Sequence, residues 1–270
     1  MAQKVTVFGS FVVDLMARAP RLPVPGETVL GSFFKQGAGG KGFNQGIAAH
    51  KSGGDVTMIT KLGRDSLANV ATDAMDSVGL KKDNLFFSDT DPTGVALISV
   101  DENTSQNEII IVPGACATIS DEDIASVADR IKESAYLLLQ LEVNQDANEK
   151  VAAMAKAAGV KVIVNTAPYS PVTDEFLNGC YLVTPNEVEA EELTGIRVSD
   201  LESADQAAKV FMDKGVQNVV ITLGGRGVYV NYDGHSEIVP AYKVNAIDTT
   251  GAGDAFNGGL LTALSEGKTL

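Results

Sequence analysis

The sequence of 270 residues has no tryptophan, two cysteines and two histidines. The cysteines, Cys116 and Cys180, lie far apart and form no metal-type pair, which predicts two buried thiols in a reducing compartment. The histidines, His50 and His235, are too few for a zinc cluster. A Ser-His-Asp hydrolase stays formally possible, but the sequence has no G-x-S-x-G nucleophile elbow. The sequence therefore argues against a zinc site and against disulfide bonds.

Positive charge is also scarce, with 21 lysines and arginines against 35 aspartates and glutamates, a formal net charge of −14. This balance, without any basic run, argues against a nucleic-acid-binding surface. No apolar run approaches membrane-spanning length and the N-terminus has no signal pattern, so we expect a cytoplasmic protein without membrane contact. An anionic ligand would need a helix N-terminus, a lysine or a bound cation such as magnesium, which accompanies ATP.

A glycine-rich stretch, Asp248–Gly259, offers such a device. Apolar residues follow at helical spacing and predict a helix from about Ala252: Phe256, Leu260, Leu261 and Leu264. A helix start has unpaired N–H groups and a partial positive charge, and Gly251 and Gly253 leave room for a phosphate. Asp254 could receive a proton from an attacking hydroxyl. Phosphoryl transfer is predicted, although an ordinary glycine-rich loop capped by acids explains these residues alone equally well.

The rest of the chain alternates between strand-like and helical segments. Lys4–Gly9 is typical of a buried first strand, and we expect Phe11–Asp14 to continue it, with Asp14 just beyond its carboxyl end. A later helix is expected over Ser66–Ser77, with Ser66 as its N-cap. The alternation indicates an α/β fold with a mostly parallel central sheet flanked by helices on both faces.

The alternation lapses in two places, at Glu27–Phe34 and at the hairpin-like pair Gly94–Asp101 and Asn107–Val112. These lapses could pair into one small accessory sheet attached to a single domain that spans residues 1–270. Polar residues collect where the main strands are expected to end: Asp14, Glu142, Asn186, Gly224 and Asp248–Asp254. Because such ends share one edge of a parallel sheet, they can line one cleft.

A second glycine-rich run, Gly37–Gly42, matches the dinucleotide pattern G-x-G-x-x-G, but its surroundings do not fit that function. The preceding residues make a poor buried strand, and no ribose-binding acid ends the next strand. It is not a P-loop either, because Lys41 precedes glycine instead of serine or threonine. The run is expected to bring Lys41 and Asn44 to a polar ligand; a tight turn before a helix is the alternative.

Several motifs occur in a distinctive order: Gly9-Ser10 with Asp14, Pro25-Gly26-Glu27-Thr28, Gly39-Gly40-Lys41-Gly42 with Asn44-Gln45, Thr93-Gly94, Thr184-Pro185-Asn186-Glu187, Thr222-Leu223-Gly224 and Asp248–Asp254. With these motifs the chain resembles the ribokinase family of carbohydrate kinases over essentially its whole length. The resemblance implies a doubly wound α/β domain with a small β-sheet lid. The lid strands would come from about residues 11–38 and 90–113.

The resemblance also implies roles in catalysis and in sugar binding. Asp254 matches the base that deprotonates the sugar's primary hydroxyl, while Gly251, Ala252 and Gly253 match an anion hole for the transferred phosphate. The positions that hold the sugar's hydroxyls are matched by Asp14, Gly40, Lys41, Asn44 and Glu142, together with Asp254.

Cofactor positions are implied in three pairs: Asn186 with Glu189, Thr222 with Gly224, and Asp248 with Thr250. The first pair matches the motif that organises magnesium and phosphate, although a capped helix start is the alternative. The second pair matches the nucleotide-side loop. The third falls where ribokinases bind a monovalent cation, usually potassium, and its oxygen-rich chemistry suits such an ion.

Two features depart from the family. Ribokinases usually have asparagine where this chain has Val12, which removes one sugar contact and puts ribose itself in doubt. The sequence ends at Leu270, whereas family members continue for about one to two further helices, so a truncated C-terminus is expected. That segment normally covers part of the adenine site.

We therefore predict an ATP-dependent kinase that phosphorylates the primary hydroxyl of a pentose such as ribose, with ATP, Mg²⁺ and K⁺. An adenosine-type nucleoside kinase and a non-catalytic sugar- or nucleotide-binding protein are the alternatives, with a nicotinamide-dependent oxidoreductase further off. A homodimer through the lid is also expected, because apolar residues in its strands offer a surface to bury: Val95, Leu97, Ile109 and Ile111.

Overall fold

The computed structural model describes residues 2–246 and 249–270 of the chain. Its strands are β1 (Lys4–Phe8), β2 (Val12–Ala19), β3 (Phe33–Gly39), β4 (Asp55–Gly63), β5 (Leu85–Ser88), β6 (Thr93–Asp101), β7 (Asn107–Gly114), β8 (Tyr136–Leu139), β9 (Lys161–Val164), β10 (Leu182–Val183), β11 (Asn218–Thr222), β12 (Val228–Tyr232) and β13 (His235–Val239). Its helices are α1 (Lys41–Lys51), α2 (Ala68–Val78), α3 (Asp121–Lys132), α4 (Gln145–Ala157), α5 (Asp174–Leu177), α6 (Glu187–Thr194), α7 (Leu201–Asp213) and α8 (Ala252–Ser265).

A large sheet forms the centre of the molecule. Within the described residues its strand order is β13–β12–β11–β10–β9–β8–β1–β4–β5, and every pairing is parallel except those of β12 with β11 and β13. Apolar clusters pack on both faces, so the inner strands are continuous apolar runs; all four residues of β8 are buried. The expected doubly wound α/β fold is confirmed. No helix in the described segments is long and apolar enough to cross a membrane.

A second, smaller sheet has the order β3–β2–β6–β7. Strand β2 runs antiparallel to β3 and parallel to β6, and β6 and β7 form the expected hairpin. The expected small accessory sheet is present, and the second lapse supplies β6 and β7; of Glu27–Phe34, however, only Phe33 and Phe34 belong to a strand, and β2 comes from the segment that was expected to continue β1. Short connections join this sheet to the main one before β2, from β1, and before β6, from β5.

The expectation that Phe11–Asp14 continues β1 is wrong, because the chain leaves the main sheet after β1 and enters the second sheet as β2. Phe11, between the two strands, is fully buried and packs edge to face on Phe43, with ring centroids 5.0 Å apart. Its backbone N–H also donates to Cys116 Sγ at 3.2 Å. These contacts hold the turn, and Asp14 consequently reaches the cleft from the second sheet.

The expected N-cap of α2 is also wrong. The helix begins at Ala68, and Asp65 supplies the acceptor: its Oδ1 accepts from the N–H groups of Leu67 at 3.0 Å and Ala68 at 3.1 Å. A carboxylate at a helix start is favoured both as a hydrogen-bond acceptor and by the partial positive charge there. The chain therefore uses the acid that precedes Ser66 instead of the serine hydroxyl.

Helices α1 and α8 cross at very short range. A Cβ atom added to Gly258 would lie 2.5 Å from Ala48 Cβ and 2.6 Å from Ala49 N, so only glycine fits at this crossing. One turn further on, Thr262 Oγ1 donates to Ala49 O at 2.9 Å. The contact fixes where the N-terminus of α8 lies relative to the N-terminus of α1.

Substitution at this crossing should be destabilising. Gly258→Ala is expected to lower the free energy of unfolding by about 1–3 kcal/mol, because the added methyl group overpacks the interface with α1. Gly259→Ala is the matched control, since an added Cβ there meets no atom within 4 Å. Its higher helix propensity should leave stability unchanged or raise it by up to about 1 kcal/mol. Denaturant unfolding measures both variants; equal stabilities would contradict the close contact.

Candidate active site

Two cavities meet at the start of α8, with volumes of about 430 Å³ and about 460 Å³. The first is lined by residues at the ends of main strands, Asn165, Thr184 and Thr222, and the second by residues of α1, α2 and the second sheet. Gly251 and Asp254, at the start of α8, line both of them. Of the other predicted site residues, the first cavity is lined by Lys41, Asn186, Glu189, Thr222, Gly224, Ala252 and Gly253. The second is lined by Asp14, Asn44 and Thr250. The arrangement allows two different ligands to meet at Asp254.

Two of the predicted sugar-binding residues, Gly40 and Glu142, border this region without belonging to either lining. Glu142 Oε2 accepts from the backbone N–H of Lys41 at 2.9 Å and from the hydroxyl of Ser10. Gly40 precedes α1 with φ 90°, a left-handed conformation that favours glycine. Together they fix the first turn of α1, from which Lys41 and Asn44 project.

The second cavity has an acidic wall. Burial raises the pKa of Asp14, and the negative charge of Glu142 raises it further. The Asp14 carboxylate lies directly over Gly39, where an added Cβ would approach Oδ1 to 2.3 Å. Carboxylates in this setting accept hydrogen bonds from hydroxyl groups and repel anions, so the cavity suits an uncharged polyhydroxylated ligand.

Val12 stands next to Asp14 on the same face of the second sheet, because residues two apart in a strand project to the same side. Its side chain is 3% exposed. Small residues are paired with these two in the neighbouring strands: Gly39 and Gly94 with Val12, and Gly37 and Ala96 with Asp14. On this face Val12 is thus an apolar neighbour of Asp14, although it belongs to the lining of neither cavity.

Asp254 lies in the first turn of α8, as predicted, and amide groups from α1 hold both of its carboxylate oxygens. Asn44 Nδ2 donates to Oδ2 at 3.1 Å, and Gln45 Nε2 donates to Oδ1 at 2.9 Å. An ionised carboxylate only accepts and has about four lone-pair sites, so both oxygens can still accept from a ligand. The carboxylate is thus oriented and remains able to take a proton.

The start of α8 is open to a ligand. Gly251 is the N-cap with φ 73° and offers no side-chain cap, while an added Cβ at Gly251 or Gly253 would meet nothing within 4 Å. One predicted donor is engaged, since the N–H of Ala252 donates to Thr249 O at 3.1 Å. The helix dipole and the absence of side chains favour an anion here. Asp248, which was predicted to bind a cation with Thr250, lies outside the described residues.

Asn186 and Glu189 form a capping box at the start of α6. Glu189 N–H donates to Asn186 Oδ1 at 2.8 Å, and Asn186 N–H donates to Glu189 Oε2 at 2.9 Å. The capping alternative is therefore present in the structure, and both residues also line the first cavity. Burial raises the pKa of Glu189, against the opposing effects of the Asn186 N–H, Lys41 and Thr166.

The predicted nucleotide-side residues lie next to that helix start. Thr222, at the end of β11, forms an isolated parallel bridge with Asn186, and its N–H donates to Pro185 O at 2.9 Å. Gly224 then turns the chain with φ 54°. The two predicted pairs, Asn186 with Glu189 and Thr222 with Gly224, thus lie side by side on the first cavity.

A buried layer of polar side chains beneath Asp254 was not predicted. Its members are Gln45, Gln140, Asn165, Thr184 and Asn257, all at most 7% exposed. Gln45 Nε2 donates to Asn165 Oδ1 at 2.9 Å, and Gln140 Nε2 donates to Gln45 Oε1 at 2.7 Å. Gln140, Asn165 and Thr184 each follow directly on an apolar strand, β8, β9 and β10. A polar residue directly after a buried strand is the signal that could have found them.

Metal binding by side chains alone is not supported in residues 2–246 and 249–270, where no group of three or more His, Cys, Asp or Glu residues is placed to hold an ion. Asn186 and Glu189 are among the oxygen donors of the first cavity, which also include the carboxylates of Glu187 and Asp254. Magnesium commonly uses one or two such ligands and completes its shell with waters and substrate phosphates. These residues fit a magnesium ion that arrives with a nucleotide.

Asp14 and Asp65 lie in different electrostatic environments, so replacing each carboxylate with a neutral amide should change stability in opposite directions. The raised pKa of Asp14 means that its ionised form destabilises the folded chain, so Asp14→Asn should melt at a higher temperature than the wild type at pH 8. The gain should shrink as the pH falls to about 4, where the wild-type carboxyl is protonated.

Asp65→Asn is the matched control. Burial would raise the pKa of Asp65, but hydrogen bonds from Thr93, Ala68 and Leu67 outweigh it and lower that pKa. This substitution should therefore reduce the melting temperature at pH 8, with the loss shrinking at low pH. Melting curves at several pH values test both signs, and a stability loss in Asp14→Asn at pH 8 would contradict the first.

Comparison with known proteins identifies a family for the chain. The chain matches the pfkB family carbohydrate kinase model over residues 2–270. It is 41% identical over 269 residues to the ribokinase of Haemophilus influenzae, covering 100% of this chain and 88% of that protein. It is 37% identical over 255 residues to a deoxyribokinase of Salmonella typhi, covering 94% of this chain and 83% of that protein.

The fold agrees as well. A solved structure of Arabidopsis thaliana ribokinase complexed with ribose and ATP is similar with a TM-score of 0.92 at 31% identity, covering 100% of this chain and 88% of that one. The resemblance deduced from the motifs is confirmed. The chain therefore belongs to the pfkB family of carbohydrate kinases and is a phosphotransferase of the ribokinase type.

Proposed function

We propose that this chain transfers the γ-phosphate of ATP to the primary hydroxyl of a pentose such as ribose. The observation that supports this most is the meeting of two chemically different cavities at Gly251 and Asp254. One cavity ends in a helix N-terminus that suits phosphate, and the other has carboxylates that suit hydroxyl groups. The ribose and ATP bound to the Arabidopsis ribokinase are consistent with that division.

In this proposal Asp254 is the general base. The sugar's hydroxyl donates to its carboxylate, which takes the proton as the oxygen attacks the phosphorus atom in line with the departing ADP. Backbone N–H groups of Gly251, Ala252 and Gly253 stabilise the charge on the transferred phosphate. For the Ala252 N–H to take part, its hydrogen bond to Thr249 O must be exchanged for one to the phosphate.

Sugar recognition falls to residues that α1 and the second sheet bring together. Asp14 and Asn44 line the second cavity and hold the sugar's hydroxyls. Glu142 and Gly40 support them by fixing the first turn of α1. Lys41 contributes its backbone to that turn while lining the first cavity, where its cationic side chain balances phosphate charge.

The nucleotide occupies the first cavity, with Thr222 and Gly224 on its flank. Asn186 and Glu189 are the residues that would hold magnesium with the phosphates. Magnesium, when bound, neutralises charge on the β- and γ-phosphate oxygens. Thr250, with Asp248, is our proposed contact for a potassium ion.

Replacement of the proposed base separates binding from chemistry. Asp254→Asn keeps the size of the side chain but cannot accept a proton, so kcat for ribose should fall by roughly 10²–10⁴-fold. The dissociation constant of the sugar should stay within about threefold, because most of its contacts remain. Asp213→Asn, at an exposed ion pair with Lys209, is the control and should leave both unchanged. Coupled ADP-release assays and calorimetry give the two quantities.

Three outcomes would count against the proposal. Unchanged turnover in Asp254→Asn would remove this residue from the role of base. Tight binding of sugar and ATP by the wild-type protein without any turnover would favour a non-catalytic binding protein. A strong preference for adenosine over free pentoses would favour a nucleoside kinase.

A 2-deoxypentose is a second candidate substrate, favoured by Val12. Its apolar side chain lies beside Asp14 on the same face of the second sheet and can make no hydrogen bond to a sugar hydroxyl. The similarity to a deoxyribokinase points the same way. An apolar side chain makes no hydrogen bond to the hydroxyl that distinguishes ribose from 2-deoxyribose, so it gives no preference for ribose.

Val12→Thr tests this assignment, because it keeps the shape of the side chain and adds one hydroxyl. The ratio of kcat/KM for ribose to that for 2-deoxyribose should rise by roughly tenfold, the equivalent of about one hydrogen bond. Val12→Ala, which adds no polar group, should leave the ratio unchanged. A ratio that is the same in all three proteins would show that Val12 does not face the sugar.

We also propose a homodimer through the second sheet. Its edge strand β7 exposes four successive apolar residues by 45–64%: Ile109, Ile110, Ile111 and Val112. Leu97, in β6, is 45% exposed, whereas Val95 packs against the apolar core and contributes less than the sequence suggested. An exposed apolar edge strand of this kind is commonly covered by another chain.

A further inference from the structure

Gln45 is the only residue of the buried polar layer that donates directly to the Asp254 carboxylate among the described residues. One proton of its amide group goes to Asp254 Oδ1 and the other to Asn165 Oδ1, both at 2.9 Å, while its own Oε1 accepts from Gln140 Nε2 at 2.7 Å. Because an ionised carboxylate only accepts, the NH₂ group must face Asp254. The orientation of the Gln45 amide is therefore fixed by its neighbours.

The partners of Gln45 are themselves anchored to the main sheet. Asn165 Nδ2 donates to Thr184 O at 2.8 Å, and Asn148 Nδ2 donates to Gln140 O at 2.7 Å. Both Gln140 and Asn165 directly follow strands of the sheet, so they cannot move without it. The main sheet therefore holds Gln45 in place through these two partners.

The other end of the layer reaches the same helix turn. Thr184 Oγ1 donates to Asn257 Oδ1 at 2.6 Å, and Asn257 Nδ2 donates to Gly253 O at 2.8 Å. The first turn of α8 is thus held on one side through its carboxylate and on the other through its backbone. Both contacts lead back to residues that follow parallel strands.

An aspartate carboxylate without hydrogen bonds would not keep one orientation, because its χ2 torsion angle has a broad distribution. Asn44 donates to the other oxygen, but it lines the second cavity and is a proposed sugar contact, so its hydrogen bond is shared with substrate. Gln45 is fully buried and lines neither cavity. Its hydrogen bond therefore does not compete with groups of a sugar bound in the second cavity.

We infer that Gln45 is a positioning residue, which holds Asp254 Oδ1 so that the carboxylate presents its free lone pairs to the sugar's hydroxyl. The inference rests on the proposed role of Asp254 as the base. Gln45 touches neither substrate in this account. Its effect should therefore appear in turnover and not in sugar binding.

A double-mutant cycle tests this. Gln45→Met has a similar size and shape but donates no hydrogen bond, and kcat should fall by about 10- to 100-fold while KM for the sugar stays within about threefold. In the Asp254→Asn background the same substitution should change the residual kcat by less than about twofold, because no carboxylate base is left to be positioned. Strong non-additivity is thus expected.

The control is Asn218→Leu, which removes another buried amide, 4% exposed, whose Nδ2 donates to Tyr181 O at 2.9 Å away from both cavities. It should lower the melting temperature without changing kcat in either background. If Gln45→Met does not fold, Gln45→Leu, which likewise donates no hydrogen bond, goes through the same cycle.

Each outcome decides the matter. An unchanged kcat in the folded Gln45 variant, an equal fall in both backgrounds, or a rise in KM at constant kcat would overturn the inference. Full activity of Asp254→Asn alone would instead overturn the proposed base, whatever Gln45 does. The two failures are therefore distinguishable.

Discussion

The close crossing of α1 and α8 is the constraint on which the site depends. Gly258 allows the two backbones to meet, and Thr262 ties the helices together one turn later. Because both helices start at the same end, the crossing brings the first turn of α8 next to Asn44 and Gln45 on α1. The two amide hydrogen bonds to Asp254 follow from this placement. The meeting of two cavities at that residue is a consequence of helix packing.

The charges that surround Asp254 differ between its two sides. With a net charge of −14 the protein has little long-range attraction for a nucleotide. It offers instead an uncapped helix N-terminus and Lys41 on one side of Asp254. On the other side, burial and the charge of Glu142 raise the pKa of Asp14, and carboxylates in this position disfavour an anion. Because the ionised form of Asp14 destabilises the folded chain, this arrangement lowers the stability of the fold.

Much of the fold could be predicted from the sequence, because continuous apolar runs such as that of β8 are typical of buried parallel strands. The start of α8 and the placement of Asp254 could be predicted for similar reasons. The change of sheet at Phe11 could not, since Val12 and Val13 suit a strand of either sheet. Nor could the role of Gln45, whose partners Gln140 and Asn165 are distant in sequence. Which acceptor caps α2 also depends on geometry, and Asp65 takes the place expected for Ser66.

The most direct test of the account is a crystal structure of the protein with ribose and a non-hydrolysable ATP analogue. We expect the sugar's primary hydroxyl within about 2.6–3.2 Å of the Asp254 carboxylate. The γ-phosphate should lie against the N–H groups at the start of α8, with Gln45 still donating to Oδ1. A sugar whose primary hydroxyl points away from Asp254, or a phosphate bound outside the first cavity, would contradict it.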